Sequence, residues 1–245
     1  MVGITLTRMI KAIFYDAGHT LVRPRAEIDE VWDLLAHQLG IHISAEHRGA
    51  FPDVAAFFYS RLGEDGLGAY ASDAAARTFW SEYYAYAVRE VATDLPREQV
   101  LSAGRALYDW YADPAQWQPF PETIAALEAA RERGLIQGVV SDWGSDLLPI
   151  LHAHEITRLM DFVVASAVVR ASKPHRDIFL YALGRAGVQA DETIYVGDSY
   201  LADVLGSRAA GLHPVLIDRN GTSPPIDAPV IDSLLRLLDI ADRLV

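Results

Sequence analysis

The chain of 245 residues contains no cysteine. That excludes disulfides, thiolate-held zinc and thiol catalysis, and it fits a cytoplasmic protein. Lysine is almost absent as well: of 21 basic residues only Lys11 and Lys173 are lysines. A chain so biased toward arginine, keeping a lysine at 173, suggests that a compact point charge is wanted there; an accidental lysine is the alternative. No apolar run reaches the length of a membrane-spanning helix. The N-terminus has no basic region followed by a long apolar core, so no signal peptide is expected, and residues 1–8 read as a short extension. Positive charge is scarce, and the formal net charge is −12. Neither a nucleic-acid surface nor a membrane partner is expected. An anionic substrate would need local cations or a metal to offset that field. Two further absences narrow the chemistry. Gly63, Gly66 and Gly68 do not follow a strand, so there is no dinucleotide fingerprint, and there is no P-loop. His37, His42 and His47 are scattered, while His152 and His154 are two apart, which is wrong for two ligands on one helix face.

What is present begins at Ile13-Phe14-Tyr15, an apolar run that reads as a short buried strand. It stops at Asp16, and Ala17-Gly18 turns the chain. A carboxylate at the carboxyl end of a strand can be a nucleophile or a metal ligand; it can also simply start a turn or cap a helix. From Pro24 to Pro119 the sequence reads as helix after helix: 27–39, stopped by Gly40; 44–62; 72–91; and 94–111, ended by Asp113-Pro114. This stretch holds 15 of the 24 aromatic residues, which reads first as the core of a small helical bundle.

From Pro121 short strands and helices alternate. Strands are expected at 135–140, 162–165, 193–196, 214–217 and 230–231. Helices are expected at 122–133, 145–152, 175–186 and 201–210, with a last one from Asp232. This is the pattern of a mostly parallel sheet covered on both faces. The expected fold class is therefore α/β, with an all-α domain inserted after the first strand: residues 1–23 and 116–245 form the core, and 24–115 the insert.

In such a sheet the carboxyl ends of parallel strands lie side by side. Strand one offers Asp16. The second offers Ser141. The segment after the third offers Lys173, and the fourth offers Gly197-Asp198-Ser199, with Asp203 five residues after Asp198. Two carboxylates from different strands, a hydroxyl and a lysine on one rim suit Mg²⁺ and a phosphoryl group. Asp142 reads first as a helix cap, with a supporting place behind the site residues as the alternative, and Trp143 as either a cleft or a core residue.

These residues resemble the motifs of the haloacid dehalogenase superfamily of hydrolases. The likeness rests on Asp16-Ala17-Gly18-His19-Thr20 after an apolar strand, Ser141 ending Val139-Val140-Ser141, Lys173 in Ser172-Lys173-Pro174, and Gly197-Asp198-Ser199 with Asp203. The helical insert resembles the family's C1-type cap, as in subfamily IA. The resemblance implies a Rossmann-like core and a Mg²⁺-dependent phosphatase acting on a small phosphorylated metabolite. In that scheme Asp16 attacks phosphorus. Asp16, the Gly18 carbonyl and Asp198 hold Mg²⁺ with support from Asp203, and Ser141 and Lys173 bind the phosphoryl oxygens. The family's phosphatases carry a second Asp as general acid/base where this chain has Gly18. Losing such a group typically costs about 10²–10⁴-fold in rate. His19 is adjacent and titrates near neutrality, so it could stand in, or it merely occupies a turn. Dehalogenases also lack the second Asp and need no metal. A protein that binds a phosphorylated ligand without turning it over is the other alternative.

Overall fold

The computed structural model describes residues 9–43, 72–92 and 94–244. Strand β1 (Ala12–Tyr15) is buried along its whole length. Its residues alternate between two cores, as period-two strand geometry requires. Ile13 and Tyr15 join one apolar cluster with Leu127, Val139 and Ile150. Ala12 and Phe14 join another with Val140, Phe179 and Tyr195. Burial on both faces explains why this strand is an unbroken apolar run.

The chain then passes through a tight loop into β2 (Val22–Pro24) and on to helices α1 (Ile28–Leu39), α2 (Asp73–Val91) and α3 (Arg97–Tyr111). Helix α1 ends at Gly40, whose left-handed backbone lets its N–H reach carbonyls of the last turn. Ser72 caps α2, its side chain accepting from the Ala75 N–H. Val31, Trp32 and Leu35 of α1 pack with Val88, Val91, Ala103 and Leu107, which is the helical core expected from the aromatic-rich stretch. The expected helix at 44–62 lies outside the described residues. Strand β3 (Trp117–Pro119) returns the chain and pairs antiparallel with β2, Val22 opposite Pro119 and Pro24 opposite Trp117. This two-stranded stem was not expected, because prolines in runs of three residues hide the strand signal.

The remainder follows the alternation: α4 (Thr123–Glu132), β4 (Ile136–Ser141), α5 (Leu147–Ala153), β5 (Phe162–Ala165), the short α6 (Ser166–Val169), α7 (Arg176–Ala186) and β6 (Thr193–Gly197). A π-helical turn at Tyr200–Leu205 leads into α8 (Gly206–Ala209), where one regular helix was expected. Strands β7 (His213–Ile217) and β8 (Val230–Ile231) follow, then a 3₁₀ turn and α9 (Leu237–Arg243). The six strands form one sheet in the order β5-β4-β1-β6-β7-β8, and every pairing is parallel. Strand β1 therefore sits where the chain order reverses, the position at which open α/β sheets place their ligand crevice. No described helix is long and apolar enough to cross a membrane.

Candidate functional site

Register brings the predicted residues together. Tyr15 stands level with Val139 of β4 and Val196 of β6. The next residue, Asp16, is therefore level with Val140, one before the end of β4, and with Gly197, the end of β6, and its N–H donates to the Val196 carbonyl at 2.9 Å. Asp16 is buried. After it the loop closes on itself. The Ala17 carbonyl accepts from the N–H groups of Leu21 and Val22, and the His19 N–H donates to the Val22 carbonyl at 2.7 Å. His19 takes the left-handed conformation, φ 55°.

Lys173 is delivered from a different segment. Asp142 fixes it by accepting the Lys173 backbone N–H at 2.9 Å. Asp142 thus takes the supporting place at the site, the less favoured of its two expected roles, and not that of a cap before Leu147; its partner lies 31 residues further along. Burial, partly offset by Lys173, pushes the Asp142 carboxyl up to about 7. Its Oδ2 is sealed from solvent without a hydrogen-bond partner. The Lys173 side chain is also buried, and its Nζ donates to Asp16 Oδ1 and to Asp203 Oδ1, each at 2.6 Å. Burial alone would push this ammonium down. The carboxylates of Asp16 and Asp203 outweigh it and hold the lysine well above its usual range.

Asp203 is locked from every side. Its Oδ1 takes the Lys173 ammonium and lies 3.2 Å from the Tyr195 hydroxyl, whose shorter bond, 2.7 Å, goes to the Val140 carbonyl. Its Oδ2 accepts the Ser199 N–H at 2.8 Å. The carboxylate fits under β6 only because residue 197 is glycine. A Cβ there would lie 2.2 Å from Asp203 Cγ.

One carboxylate oxygen each of Asp16, Asp198 and Asp203 lies within 4.8 Å of the others. Asp198 keeps an exposed face. Desolvation by the surrounding protein, then the charges of Asp16 and Asp203, push its carboxyl well above the ordinary range. Such mutual repulsion is relieved by a bound cation. The donor set, all hard oxygen, suits Mg²⁺. Asp16 gives only one oxygen, Oδ1, to Lys173, whereas both Asp203 oxygens accept hydrogen bonds, so Asp203 would support a metal held by Asp16 and Asp198.

Ser141 ends β4, the strand next to β1, and is buried. Gly18 lies two residues after Asp16, in the loop, bridged to Val22. The plane above it is taken by an indole: a Cβ on Gly18 would meet Trp143 Cζ3 at 3.2 Å. Trp143 is pinned by its Nε1–H donating to Asp146 Oδ2 at 3.0 Å and by an edge contact with Trp117, ring centres 4.8 Å apart. The insert reaches the same loop, where Asp73 Oδ1 accepts the Ser145 N–H at 2.7 Å. Sequence reasoning gave Tyr195 and Asp73 no role at the site and left Trp143 open. A strand tyrosine and a helix-start aspartate carry no signal of what they meet across the fold.

Comparison with known proteins agrees with this geometry. Residues 10–211 match the family described as haloacid dehalogenase-like hydrolase. The chain is 34% identical over 159 residues to the haloacid dehalogenase-like hydrolase domain-containing protein 3 of Mus musculus, 64% of this chain and 61% of that one. It is 32% identical over 136 residues to a glyceraldehyde 3-phosphate phosphatase of Methanocaldococcus jannaschii, 52% of this chain and 58% of that one. The matched stretches thus span about three-fifths of these relatives. Among solved structures, a HAD phosphatase from Thermococcus onnurineus superposes with a TM-score of 0.63 at 27% identity, over 94% of this chain and 97% of that one. With the motifs at adjoining strand ends and a family match across most of its length, the chain belongs to the haloacid dehalogenase-like hydrolases.

Proposed function

We propose that the chain is a Mg²⁺-dependent phosphatase of small phosphorylated metabolites, with Asp16 as the nucleophile. The observation that carries this reading is the meeting of Asp16, Asp198 and Asp203 within 4.8 Å. A nucleophile that attacks carbon has no need of such a cluster, whereas phosphoryl transfer needs its charge offset. The similarity to a phosphatase from Methanocaldococcus jannaschii supports the same choice.

Each residue has a task in this reading. Asp16 presents a carboxylate oxygen to phosphorus. Lys173 screens the charge between Asp16 and the phosphoryl oxygens. Ser141 binds one of those oxygens from the end of β4. Asp203 positions Lys173 and supports the metal site. Asp16, Asp198 and the Gly18 carbonyl would hold Mg²⁺, which when bound supplies positive charge to the phosphoryl group. Residues 24–115 act as a cap over the 1–23 and 116–245 core, and the Asp73 contact to the Ser145 N–H is one tie between them. Closure there would exclude water from the site.

The test is phosphate release from a panel of phosphate esters with and without Mg²⁺, using Asp16→Asn as control. Activity that survives Asp16→Asn removes Asp16 from the nucleophile role. Gly18 favours a second reading, a phospho-ligand binder without turnover. That reading predicts thermal stabilisation by a phosphate ester with no product. A dehalogenase would instead release halide from a 2-halo acid in the presence of chelator.

A further inference from the structure

Gly18 leaves open how a leaving group would obtain a proton. Among the described groups near Asp16, His19 lies in the loop beside Gly18 and is taken up in the test below, and Asp198 belongs to the metal cluster; the others are committed. Lys173 is held between two carboxylates. Both Asp203 oxygens are engaged. Asp142 turns one oxygen to the Lys173 N–H and has the other sealed. Over Gly18 itself stands the carbon edge of Trp143, 3.2 Å from where a Cβ would be. The only polar atom of that indole points away, to Asp146. The start of α6 holds the backbone of Trp143 in place: the Trp143 N–H donates to Ser166 Oγ at 3.1 Å, and the Trp143 carbonyl accepts the Ala167 N–H at 3.2 Å. This wall is a built feature of the site, and it is apolar.

We propose that Trp143 is a specificity-determining residue that fills the space a carboxylate on residue 18 would need, restricting the chain to phosphoryl donors with weakly basic leaving groups, acyl or aryl phosphates. The inference rests on the phosphatase reading above. In the first step an Asp16 oxygen bonds to phosphorus as the bond from phosphorus to the leaving oxygen breaks. The electron pair departs on that oxygen as a carboxylate or phenolate, which needs no proton. Water then attacks phosphorus, the Asp16–phosphorus bond breaks to restore the carboxylate, and both water protons leave on dihydrogen phosphate. An alkoxide, far more basic, would not depart at a useful rate without a donor.

The test is kcat/KM with Mg²⁺ for acetyl phosphate, a series of aryl phosphates of graded phenol acidity, and an alkyl phosphate such as glycerol phosphate. Acyl and aryl donors are expected to exceed the alkyl ester by at least about 10²-fold, the scale of a missing general acid. Within the aryl series the rate should fall steadily as the phenol becomes more basic. Equal rates on alkyl and aryl esters would overturn the inference and leave the phosphatase reading standing. If that alkyl turnover vanished in His19→Gln, the proton would be assigned to His19. No release from any donor would overturn the phosphatase reading itself. The pair Gly18→Asp and Gly18→Asp with Trp143→Ala tests the indole directly. Alkyl turnover should rise in the double variant and not in the single one. An equal gain in the single variant would show that the ring is no obstacle. The wild-type series decides the question even if these variants fail to fold.

Discussion

The Nζ of Lys173 stands 2.6 Å from Oδ1 of Asp16, with both side chains buried. Because Asp203 flanks the ammonium at the same distance, this lysine is the charge on which the site's electrostatics turn. Lys173→Met leaves two carboxylates facing each other without a cation. Removing one partner from a buried pair typically costs about 3–5 kcal/mol. Chemical denaturation should show a loss of that order without Mg²⁺, together with loss of phosphate release. The pH dependence has a definite sign. The folded lysine is held above its usual range. Its contribution is therefore complete below about 10.4, the unfolded value, and is lost only as pH rises through the higher folded value.

Metal should stabilise the fold measurably. Mg²⁺ at one hundred times its Kd adds about 2.7 kcal/mol to any state that binds it. Thermal unfolding is expected to shift upward with Mg²⁺ and back with chelator. Asp198→Asn should abolish most of the shift, and Asp203→Asn should act mainly through the loss of Lys173 positioning.

Gly197→Ala forces a Cβ to within 2.2 Å of Asp203 Cγ unless something moves. Overpacking of this kind costs about 1–3 kcal/mol. The expected result is a destabilised protein whose phosphate release falls further than its stability, because displacing Asp203 also misplaces Lys173. Unfolding curves and steady-state kinetics on the same samples check it.

Asp142 gives a prediction with a separate pH window. Burial raises its carboxyl from 3.8 to about 7, so the folded state prefers the protonated form. The stability this confers is fully present below the unfolded value and is lost as pH rises through about 7. Asp142→Asn keeps an acceptor for the Lys173 N–H and removes the titration. Its stability relative to wild type should grow across that interval and then level off, as read from denaturation at several pH values.

These residues also show how far sequence reasoning reaches. Asp16 was legible because a fully buried parallel strand must be apolar, so the first carboxylate after it marks the strand's end. Gly197 and Asp203 were legible through local spacing. Asp142 read first as a cap, and its supporting role only second, because its real partner, Lys173, is reached only through the fold. The contact of Trp143 with Gly18 had no local signal at all: a glycine announces an absence, not what occupies the space. The β2–β3 stem and the π-helical turn at Tyr200–Leu205 escaped for a simpler reason. Each is short, and proline in the first and a regular apolar spacing in the second point to the commoner structure.

In the proposed reaction Asp16 carries the phosphoryl group. The most direct measurement is peptide mass spectrometry of protein quenched in acid during turnover of acetyl phosphate with Mg²⁺. A phosphorylated peptide whose modification maps to Asp16 is expected, present in wild type and absent in Asp16→Asn. Steady turnover with no phosphorylated Asp16, or the same modification persisting in Asp16→Asn, would contradict it.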